Sequence, residues 1–320
     1  MNILLTGATG FVGRSLVKLF SEKTSFNVVA ISRVAQYEIL PKVRYVKIPN
    51  IEAHNDWGHI TAGCDVIVHL AGRAHVLQDS STDPLAEFRA VNVHATLTLA
   101  RQAMLAGVKR FIFISSIGVN GSHTTGEPFD EKSVVVPHAN YALSKLEAEQ
   151  GLRELVQDSD MELVIIRPPL VYAGHAPGNF QRLLKLVASG IPLPFSLVDN
   201  RRSMVALENL VSFICLCIEH PAAANETFLI SDGVDVSTPE IISNLANGMG
   251  RRAYLWPLPD SVVYMGASLL GRQALYSQLC GSLAIDSSKA RNLLGWRSII
   301  SPVDALQQAG YDYHVARSFA

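Results

Sequence analysis

Four side chains in this sequence are of types that could take part in proton transfer. Tyr141 and Lys145 stand four residues apart in the helical stretch YALSK, so they share one helix face. A lysine ammonium near a phenol favours the phenolate, and a tyrosine with its ordinary pKa of about 10 is a poor base at neutral pH. Ser115 and Ser116 end a predicted strand, RFIFISS, where a hydroxyl can donate to a substrate oxygen. Tyr-x-x-x-Lys alone is a weak signal that often arises by chance on helix surfaces, and it gains weight only in combination with other motifs.

A glycine-rich turn near the chain start, LLTGATGFVG, predicts a dinucleotide site. Gly7, Gly10 and Gly13 follow the predicted strand NILLT and lead into a helical pattern. The first glycine permits the tight turn, the second lets the backbone approach a pyrophosphate, and the third lets the helix pack close to the strand. The helix N-terminus adds N–H donors and positive potential. No Gly-Lys-Ser/Thr follows, which excludes a P-loop.

The residue after the second predicted strand bears on the choice of cofactor. In NAD-binding proteins an acidic residue about 20 positions beyond the glycines binds the ribose 2′-hydroxyl. This sequence has Arg33 at that distance, and an arginine can pair with a 2′-phosphate. Arg33 therefore points to NADP(H), but a solvent-exposed arginine at a strand end explains it equally well.

Short apolar strands alternate with helical patterns in the first half of the chain. The predicted strands cover residues 2–7, 27–32, 43–48, 65–71, 110–116 and 162–168. Helical periodicity covers residues 11–22, 84–106 and 140–157. Continuous apolar runs are typical of strands buried on both faces of a parallel sheet. Their alternation with helices predicts an α/β fold with a Rossmann-type, doubly wound parallel sheet.

The second half of the chain predicts a smaller lobe. Prolines and turn residues accumulate there, and the short strand 227–231 is mixed with helices at 207–219, 237–249 and 286–294. We predict an NAD(P)-binding Rossmann domain over residues 1–168. A mixed α/β substrate-binding lobe would follow over residues 169–320, with segments that return to the Rossmann domain.

Composition and charge exclude several classes of protein. Hydrophobic residues make up 48% and charged residues 17%, which indicates a globular chain, and a net charge of −1 gives no sign of a nucleic-acid partner. Four cysteines without disulfide spacing indicate a reducing compartment. No signal-peptide pattern occurs, and the longest apolar stretch falls far short of the roughly 20 residues of a membrane span. We expect a cytoplasmic protein with no membrane, metal or nucleic-acid partner.

The motifs together resemble the extended branch of the short-chain dehydrogenase/reductase superfamily. That branch contains the UDP-glucose 4-epimerase-like proteins and their 4-keto-reductase relatives, which modify nucleotide sugars for polysaccharide synthesis. The resemblance covers nearly the whole chain and extends to further motifs, which are HLAG (69–72), AVNVHAT (90–96), RPPLVYAG (167–174), PGNF (177–180), NRRSMVALENL (200–210) and IDSSKARNLLGW (285–296).

The resemblance implies roles for individual residues. It implies a catalytic set of Ser116, Tyr141 and Lys145. It implies cofactor contacts from Gly7, Thr9, Gly10, Phe11, Val12, Gly13, Arg33, Asn50, Leu70, Ala71, Gly72, Asn92, Ser115, Tyr141, Lys145 and Pro168, where Asn92 is the family's structural asparagine. It implies substrate contacts from Ser116, Tyr141, Asn179, Arg202 and Gln278, with Asn179 and Arg202 at the diphosphate.

Four positions depart from the family pattern or refine it. Asn50 stands where relatives carry an adenine-reading aspartate, and Gln278 where many carry an arginine that binds uridine diphosphate. Leu283 takes the position that limits the size of the sugar C2 substituent in epimerases. The 4,6-dehydratases of the branch carry Thr-Asp-Glu around the catalytic hydroxyl, whereas Ser116 is followed by isoleucine and glycine. The missing carboxylates argue against dehydration.

The resemblance also implies a mechanism at sugar C4. Tyr141 would take the proton of the 4-hydroxyl while C4 gives hydride to the nicotinamide, and Ser116 would hydrogen-bond the same oxygen. Lys145 would hold the ribose hydroxyls and lower the pKa of Tyr141. An epimerase then returns hydride to the other face of the 4-keto sugar, whereas a reductase runs only this second half with external NAD(P)H. Family similarity favours an epimerase that uses NAD, and Arg33 favours a reductase that uses NADPH.

A UDP-hexose or UDP-N-acetylhexosamine 4-epimerase is the preferred prediction. The alternatives are an NAD(P)H-dependent 4-keto reductase of a nucleotide-linked 6-deoxy sugar and a non-catalytic NADP-binding regulator, although a regulator would be expected to lose Tyr141 or Lys145. The sequence has neither a Gly-x-Ser-x-Gly nor a His-Glu-x-x-His hydrolase motif.

Other polar residues are predicted to be structural, and two helices are predicted to form a dimer. The pair Asp130-Glu131 is expected to cap or solvate its loop, and His69 and His75 are expected to be structural or solvent-facing. The helices at 84–106 and 140–157 carry more apolar residues than one sheet face needs. Relatives pair through equivalent helices, so we expect a homodimer.

Overall fold

The computed structural model of the chain describes residues 1–22, 25–34, 39–74, 82–269 and 271–318. Its strands are β1 (Asn2–Thr6), β2 (Asn27–Ser32), β3 (Val43–Lys47), β4 (Val66–His69), β5 (Arg110–Ile114), β6 (Glu162–Arg167), β7 (Leu170–Tyr172), β8 (Met204–Ala206) and β9 (Thr227–Leu229). Its helices are α1 (Phe11–Glu22), α2 (Gly58–Thr61), α3 (Pro84–Arg89), α4 (Ala95–Leu105), α5 (Asn140–Val156), α6 (Gly178–Ala188), α7 (Leu207–Glu219), α8 (Thr238–Gly248), α9 (Asp260–Leu269), α10 (Gln273–Cys280), α11 (Ser288–Leu294) and α12 (Pro302–Ser318).

Seven strands form one parallel sheet in the order β3-β2-β1-β4-β5-β6-β9. The chain moves outward from β1 through β2 to β3 and then crosses to the other side of β1 as β4. The strand order therefore reverses between β1 and β4, and a crevice for ligands opens at the carboxyl ends of strands at such a point. This topology confirms the predicted Rossmann-type doubly wound sheet.

The central strands are apolar because both faces of the sheet are covered by helices. Ile3 and Leu5 belong to the core shared with α1 and α7, whereas Leu4 belongs to the core shared with α4 and α5. This alternation is the period of two that a β-strand imposes on its side chains. Continuous apolar runs thus predicted the two-sided burial correctly.

A separate apolar core lies in the second half of the chain. It joins residues of α6, α8 and α12, among them Phe180, Leu245 and Leu306, and the two-stranded sheet β7–β8 lies beside it. One strand from this half, β9, pairs with β6 and extends the main sheet. The proposed boundary at residue 168 remains a prediction.

The structure contains no disulfide among the four cysteines and no helix, within the described residues, that could span a membrane. All four cysteines are free thiols, of which Cys280 is partly exposed and the others are buried. Across the residues for which the structure gives a description, no helix is both long and apolar enough to cross a bilayer.

The close packing of α1 on β1 makes residue 13 sensitive to any added side chain. A Cβ on Gly13 would lie 2.1 Å from the Gly7 carbonyl oxygen and 2.8 Å from the Ala8 Cα. We expect Gly13→Ala to lower the free energy of unfolding by about 1–3 kcal/mol, because overpacking forces backbone to shift. Chemical denaturation measures the effect.

A matched control is Gly266→Ala in α9. No atom lies within 4 Å of the position that its Cβ would take. Alanine is the better helix former, so this variant should gain about 0.5–1 kcal/mol. Equal unfolding free energies for the two variants would contradict the packing argument.

Candidate active site

The glycine turn after β1 packs against the loop after β4. Gly7 has φ +69°, and a Cβ on it would lie 2.9 Å from the Ala71 nitrogen and 3.0 Å from the Leu70 carbonyl carbon. The Ala71 N–H donates to the Thr6 hydroxyl at 3.2 Å, which holds the two loops together. Only a residue without a side chain fits between them, as the first glycine of the motif predicts.

The turn presents open backbone at the start of α1. The Gly10 N–H donates to the Gly7 carbonyl at 2.9 Å, which closes the turn. Thr9, Phe11 and Val12 are half-buried and Gly10 is exposed. A helix N-terminus with bare backbone in front of it is the cradle that a pyrophosphate requires, so the residues present fit a dinucleotide.

Lys145 lies beside this cradle at the end of β5. Its ammonium donates to the Ile114 carbonyl at 2.8 Å and sits 4.4 Å from the centre of the Phe113 ring. A Cβ on Gly72 would lie 3.0 Å from the Asn92 Oδ1 and 3.5 Å from the Lys145 Nζ, so the β4 loop packs closely against both side chains. Burial lowers the pKa of Lys145 to about 8, and the charge of Glu149 opposes that shift.

Asn92 ties the β4 loop to α5. Its Oδ1 accepts from the Arg73 N–H at 2.7 Å, while its Nδ2 donates to the Arg73 carbonyl at 3.1 Å and to the Ser144 hydroxyl at 2.9 Å. Asn92 lies in the turn Ala90–His94, a π-helical segment that joins α3 to α4 within the predicted helix 84–106. These bonds support the structural role that the resemblance implied, and they engage the side chain with protein rather than with a cofactor.

Tyr141 begins α5 and is half-buried beside Phe88, with 6.2 Å between the ring centroids. Burial raises the pKa of Tyr141 to about 12. The Lys145 Nζ lies 6.0 Å from the centre of the Tyr141 ring and is bound to the Ile114 carbonyl. Burial is the influence on the Tyr141 pKa in this arrangement, and the lowering by Lys145 that the resemblance implies remains a prediction.

Ser116 faces the first turn of α5. Its Oγ accepts from the Gly118 N–H at 3.1 Å. A Cβ on Gly118 would lie 3.4 Å from the Ser116 Oγ and 3.3 Å from the Ala142 Cβ, so Gly118 contacts both the serine and the residue that follows Tyr141. The half-buried Ser116 thus joins Tyr141 and Lys145 at one end of β5.

Ser115 points the other way. It is buried, and its hydroxyl donates to Glu149 Oε1 at 2.5 Å. Its hydroxyl is therefore engaged in the interior, and the predicted contact of Ser115 with the cofactor remains a prediction that would fall to its backbone. Successive side chains of an extended segment point to opposite sides, and this explains why only one of the two serines faces the site.

Glu149 anchors a buried network that the sequence reading did not identify. Its carboxylate accepts from Arg167 Nε at 2.9 Å and Nη2 at 2.5 Å, and Arg167 Nη1 donates to Asn120 Oδ1 at 3.0 Å. The network joins α5 to the ends of β5 and β6. The available signal was spacing, because Glu149 follows Lys145 by four residues and so continues the Tyr141–Lys145 face.

The ends of the other strands place the remaining predicted cofactor residues. The Pro168 carbonyl, after β6, accepts from the Ile117 N–H at 3.0 Å, which fixes it beside Ser116. Arg33 follows β2 and Asn50 follows β3, and both are exposed. Since β1, β2 and β3 are parallel, both residues lie at the same sheet edge as the glycine turn, with Arg33 one strand away from it.

Of the three residues predicted to bind the substrate in the second half of the chain, Asn179 and Gln278 contact each other and Arg202 lies near them. The Asn179 Nδ2 at the start of α6 donates to the Gln278 Oε1 on α10 at 3.0 Å. Arg202 Nη1 donates to the Gly281 carbonyl just after α10, at 2.9 Å. The structure therefore brings Asn179, Arg202 and Gln278 together around α10.

Leu283 connects this group to the catalytic side. It pairs with Arg202 in a backbone bridge and packs in a small apolar cluster with Ile117, the residue after Ser116. Leu283 therefore links Arg202 to the segment that follows β5.

The Asp130-Glu131 pair is structural, as predicted. Asp130 Oδ1 accepts from the Ser133 hydroxyl at 2.7 Å, which lowers its pKa, and Glu131 Oε1 accepts from the Leu229 N–H at 2.8 Å. Burial is the largest influence on Glu131 and raises its pKa. Both carboxylates are occupied with protein donors.

His69 is also structural. It is fully buried between the hydroxyls of Thr6 and Thr96, at 2.7 Å and 2.9 Å, and burial lowers its pKa to about 3. A neutral imidazole in this position orders the end of β4. His75 lies outside the described residues.

Comparison with known proteins agrees with this architecture. A Vibrio cholerae protein named UDP-glucose 4-epimerase is 43% identical over 309 residues, which cover 96% of this chain and 92% of that protein. An Escherichia coli O157:H7 protein named N-acetyl-alpha-D-glucosaminyl-diphospho-ditrans,octacis-undecaprenol 4-epimerase is 28% identical over 267 residues, covering 83% of this chain and 77% of the relative. The fold matches the crystal structure of a Bacillus cereus UDP-glucuronic acid 4-epimerase in complex with NAD, with a TM-score of 0.79, 22% identity and 99% of each chain covered.

A family model gives the same assignment over most of the chain. The model of the NAD dependent epimerase/dehydratase family matches residues 3–231, which include the glycine turn, all strands of the main sheet and the Ser-Tyr-Lys set. The chain therefore belongs to the NAD dependent epimerase/dehydratase family, as its resemblance to the extended short-chain dehydrogenases predicted.

Proposed function

We propose that the protein is a nucleotide-sugar 4-epimerase that inverts C4 of a UDP-hexose or UDP-N-acetylhexosamine through a 4-keto intermediate. The observation that supports this proposal is that the Lys145 ammonium, 6.0 Å from the Tyr141 ring, donates to the end of β5 two residues before Ser116, at the strand-order reversal. The 43% identity to a UDP-glucose 4-epimerase supports the same reaction class.

NAD or NADP would bind along the carboxyl ends of the central strands. The turn from Gly7 to Gly13 would hold the pyrophosphate, and Ala71, Gly72 and Pro168 would line the nicotinamide side. A bound nicotinamide supplies the hydride acceptor and donor for sugar C4. The protein contributes the position of the reacting groups and their protons.

Three side chains would handle the oxygen on C4. Ser116 donates a hydrogen bond to it, and Tyr141 exchanges the proton as the hydroxyl becomes a carbonyl and returns. A neutral Tyr141 phenol can donate a proton when the 4-keto oxygen becomes a hydroxyl again. Removal of the 4-hydroxyl proton needs a lower Tyr141 pKa, which a nearby positive charge would provide. The Lys145 ammonium would hold the ribose hydroxyls and add to that charge.

The lobe around α10 would bind the rest of the substrate. Asn179, Arg202 and Gln278 would contact the diphosphate, with Arg202 supplying the permanent positive charge. Leu283, packed against Ile117, would limit the space at sugar C2. A glutamine at 278 offers an amide rather than a charge, so Arg202 carries more of the electrostatic attraction.

A 4-keto reductase of a nucleotide-linked 6-deoxy sugar is the second candidate. Exposed Arg33 at the cofactor edge favours it, because an arginine there suits the 2′-phosphate of NADPH and reductases draw on external NADPH. Dehydration fits less well, since the residues after Ser116 are Ile117 and Gly118 and the nearby Asp130 and Glu131 are bound to protein donors.

We also propose a homodimer through α3–α5. Leu97, Met104 and Leu155 are only partly buried there, and Leu105 is exposed. These apolar residues would be covered by the same helices of a second copy.

The first prediction concerns Tyr141→Phe. We expect interconversion of UDP-glucose and UDP-galactose by the wild type without added cofactor, and a loss of about 10²–10⁴-fold in the variant, because the proton carrier is gone. Nuclear magnetic resonance of the sugar C4 configuration measures turnover. Thermal unfolding should change little.

The matched control is Tyr311→Phe, which removes an exposed phenol from α12. Wild-type turnover by Tyr141→Phe would refute the proposed site. If the wild type inverts no UDP-hexose but consumes NADPH with a 4-keto sugar, and Tyr141→Phe abolishes that, the site stands and the reductase replaces the epimerase.

The second prediction tests Arg33 as a cofactor reader. We expect tighter binding of NADPH than of NADH, and we expect Arg33→Ala to weaken NADPH up to about fivefold, the strength of an exposed ion pair, while leaving NADH unchanged. Fluorescence titration of both nucleotides measures this. Arg44→Ala, also exposed but at the other end of the neighbouring strand, serves as control. A wild-type preference for NADH would remove Arg33 from this role.

The third prediction concerns the alkaline limb of the pH–rate profile. Burial lowers the pKa of Lys145 to about 8 and the negative charge of Glu149 raises it. Glu149→Gln removes the raising influence, so Lys145 should lose its proton at lower pH and the alkaline limb should move down in pH. Glu154→Gln removes an exposed carboxylate from the same helix and should leave the limb in place.

Stability separates this effect from simple damage. Glu149→Gln should also lower the melting temperature because Arg167 loses a charged partner. A lower melting temperature with an unmoved alkaline limb would show that Glu149 only holds the fold together.

A further inference from the structure

Exposed apolar side chains are concentrated in three segments of the second half of the chain. We call these segments the apolar rim and define them as residues 191–197, residues 254–258 and helix α9. Its exposed large apolar side chains are Ile191, Leu197, Tyr254, Trp256, Leu258, Val262, Tyr264, Met265 and Leu269. The first two segments are joined because the Leu193 N–H donates to the Tyr254 carbonyl and the Trp256 N–H donates to the Leu193 carbonyl, each at 2.8 Å.

The paired segments sort their side chains by face. Leu193 and Leu255 are paired in a bridge and face the core of the lobe. Arg252, Tyr254 and Trp256 alternate with the inward residues and are exposed. One basic and two aromatic side chains therefore share the outward face.

Helix α9 has an apolar sequence, and Val263 packs against the core while Val262, Met265 and Leu269 are exposed. Its ten residues, DSVVYMGASL, include no buried residue. Its one charged side chain, Asp260, accepts a hydrogen bond from the Tyr276 hydroxyl at 2.5 Å. An exposed apolar patch of this kind marks an interaction surface, because the chain itself gains nothing from exposing it.

The charge around the rim identifies the kind of partner. Residues 251–281 contain Arg251, Arg252 and Arg272 but a single carboxylate, Asp260, within a chain of net charge −1. Arginines that border exposed tryptophan, tyrosine and aliphatic residues are typical of segments that lie in the headgroup region of an anionic bilayer. A second copy of this chain would present the same positive rim and repel it.

We propose that the apolar rim docks the protein on the surface of a membrane that contains anionic lipid. Trp256, Tyr264 and Met265 enter the headgroup boundary, and Arg252 and Arg272 contact lipid phosphates. This is peripheral binding, in keeping with the absence of a spanning helix among the described residues.

Docking would also orient the substrate lobe. The Tyr264 ring on α9 packs edge-on against the Tyr276 ring on α10, with 5.2 Å between centroids. Gln278, which contacts Asn179, lies on that same helix α10. The proposed diphosphate residues would therefore face solvent close to the lipid headgroups. The inference rests on the surface alone and not on the reaction.

Tryptophan fluorescence tests the proposal directly. Of the three tryptophans, Trp57 is 0% and Trp296 5% exposed, whereas Trp256 is 59% exposed. Vesicles of phosphatidylcholine with phosphatidylglycerol should shift the emission of the wild type to the blue, and brominated lipid in them should quench it. Trp256→Phe should still bind in vesicle flotation but lose this signal.

Paired variants separate the apolar and the charged contributions. Trp256→Ser with Met265→Ser should abolish flotation with vesicles that contain phosphatidylglycerol and with vesicles of phosphatidylcholine alone. Arg252→Gln with Arg272→Gln should weaken binding to phosphatidylglycerol vesicles about fivefold for each arginine and have little effect on phosphatidylcholine alone. The control pair, Ile299→Ser with Tyr311→Ser, removes exposed apolar side chains outside the rim and should bind as the wild type does. Thermal unfolding confirms that each variant is folded.

Two results would overturn the proposal. One is a wild type that neither floats with phosphatidylglycerol vesicles nor changes its fluorescence. The other is light scattering in which Trp256→Ser with Met265→Ser changes the oligomeric mass, because the rim would then be a contact between copies of the chain.

Discussion

The site depends on how closely two backbone loops approach each other where the strand order reverses. Gly7 and the β4 loop are so near that a single Cβ at residue 7 would stand 2.9 Å from the Ala71 nitrogen. Gly13 imposes the same condition on α1, since its Cβ would meet the Gly7 carbonyl. Because neither loop can yield, the start of α1 and the residues after β4 are held as one unit. The Asn92 and Lys145 side chains pack against this unit at Gly72.

Helix α5 supplies the second fixed element, through one face spaced by four residues. Tyr141 stands at the site, Lys145 sits one turn deeper, and Glu149 is fully buried with Arg167. A buried ion pair adds little net stability but strongly disfavours arrangements that would separate its charges. Here it fixes α5 against the ends of β5 and β6. Burial therefore increases along this face of α5, from Tyr141 through Lys145 to Glu149.

Most of the sheet was predictable because local patterns alone determine it, whereas the site was only partly predictable. Apolar runs indicated β1–β6, and glycine spacing placed the cradle between β1 and β4. Neighbouring serines illustrate the limit, since Ser115 and Ser116 have the same chemistry and only the direction of the chain decides which one faces the site. The pairing of Glu149 with Arg167 joins residues whose proximity is set by the packing of α5 on the sheet. Likewise, burial raises the pKa of Tyr141, and the Tyr-x-x-x-Lys spacing gives no sign of that influence.

Whole-chain composition and charge also gave no sign of the apolar rim. A net charge of −1 describes the whole chain, but residues 251–281 hold three arginines against one aspartate. The apolar stretch in α9 is too short to span a bilayer, and that length criterion says nothing about a helix that lies along one. Only the fold shows which apolar side chains of α9 are exposed and that residues 191–197 pair with 254–258. A surface that is apolar in the middle and basic at its border matches a bilayer in both respects, and it adjoins the helix that carries Gln278.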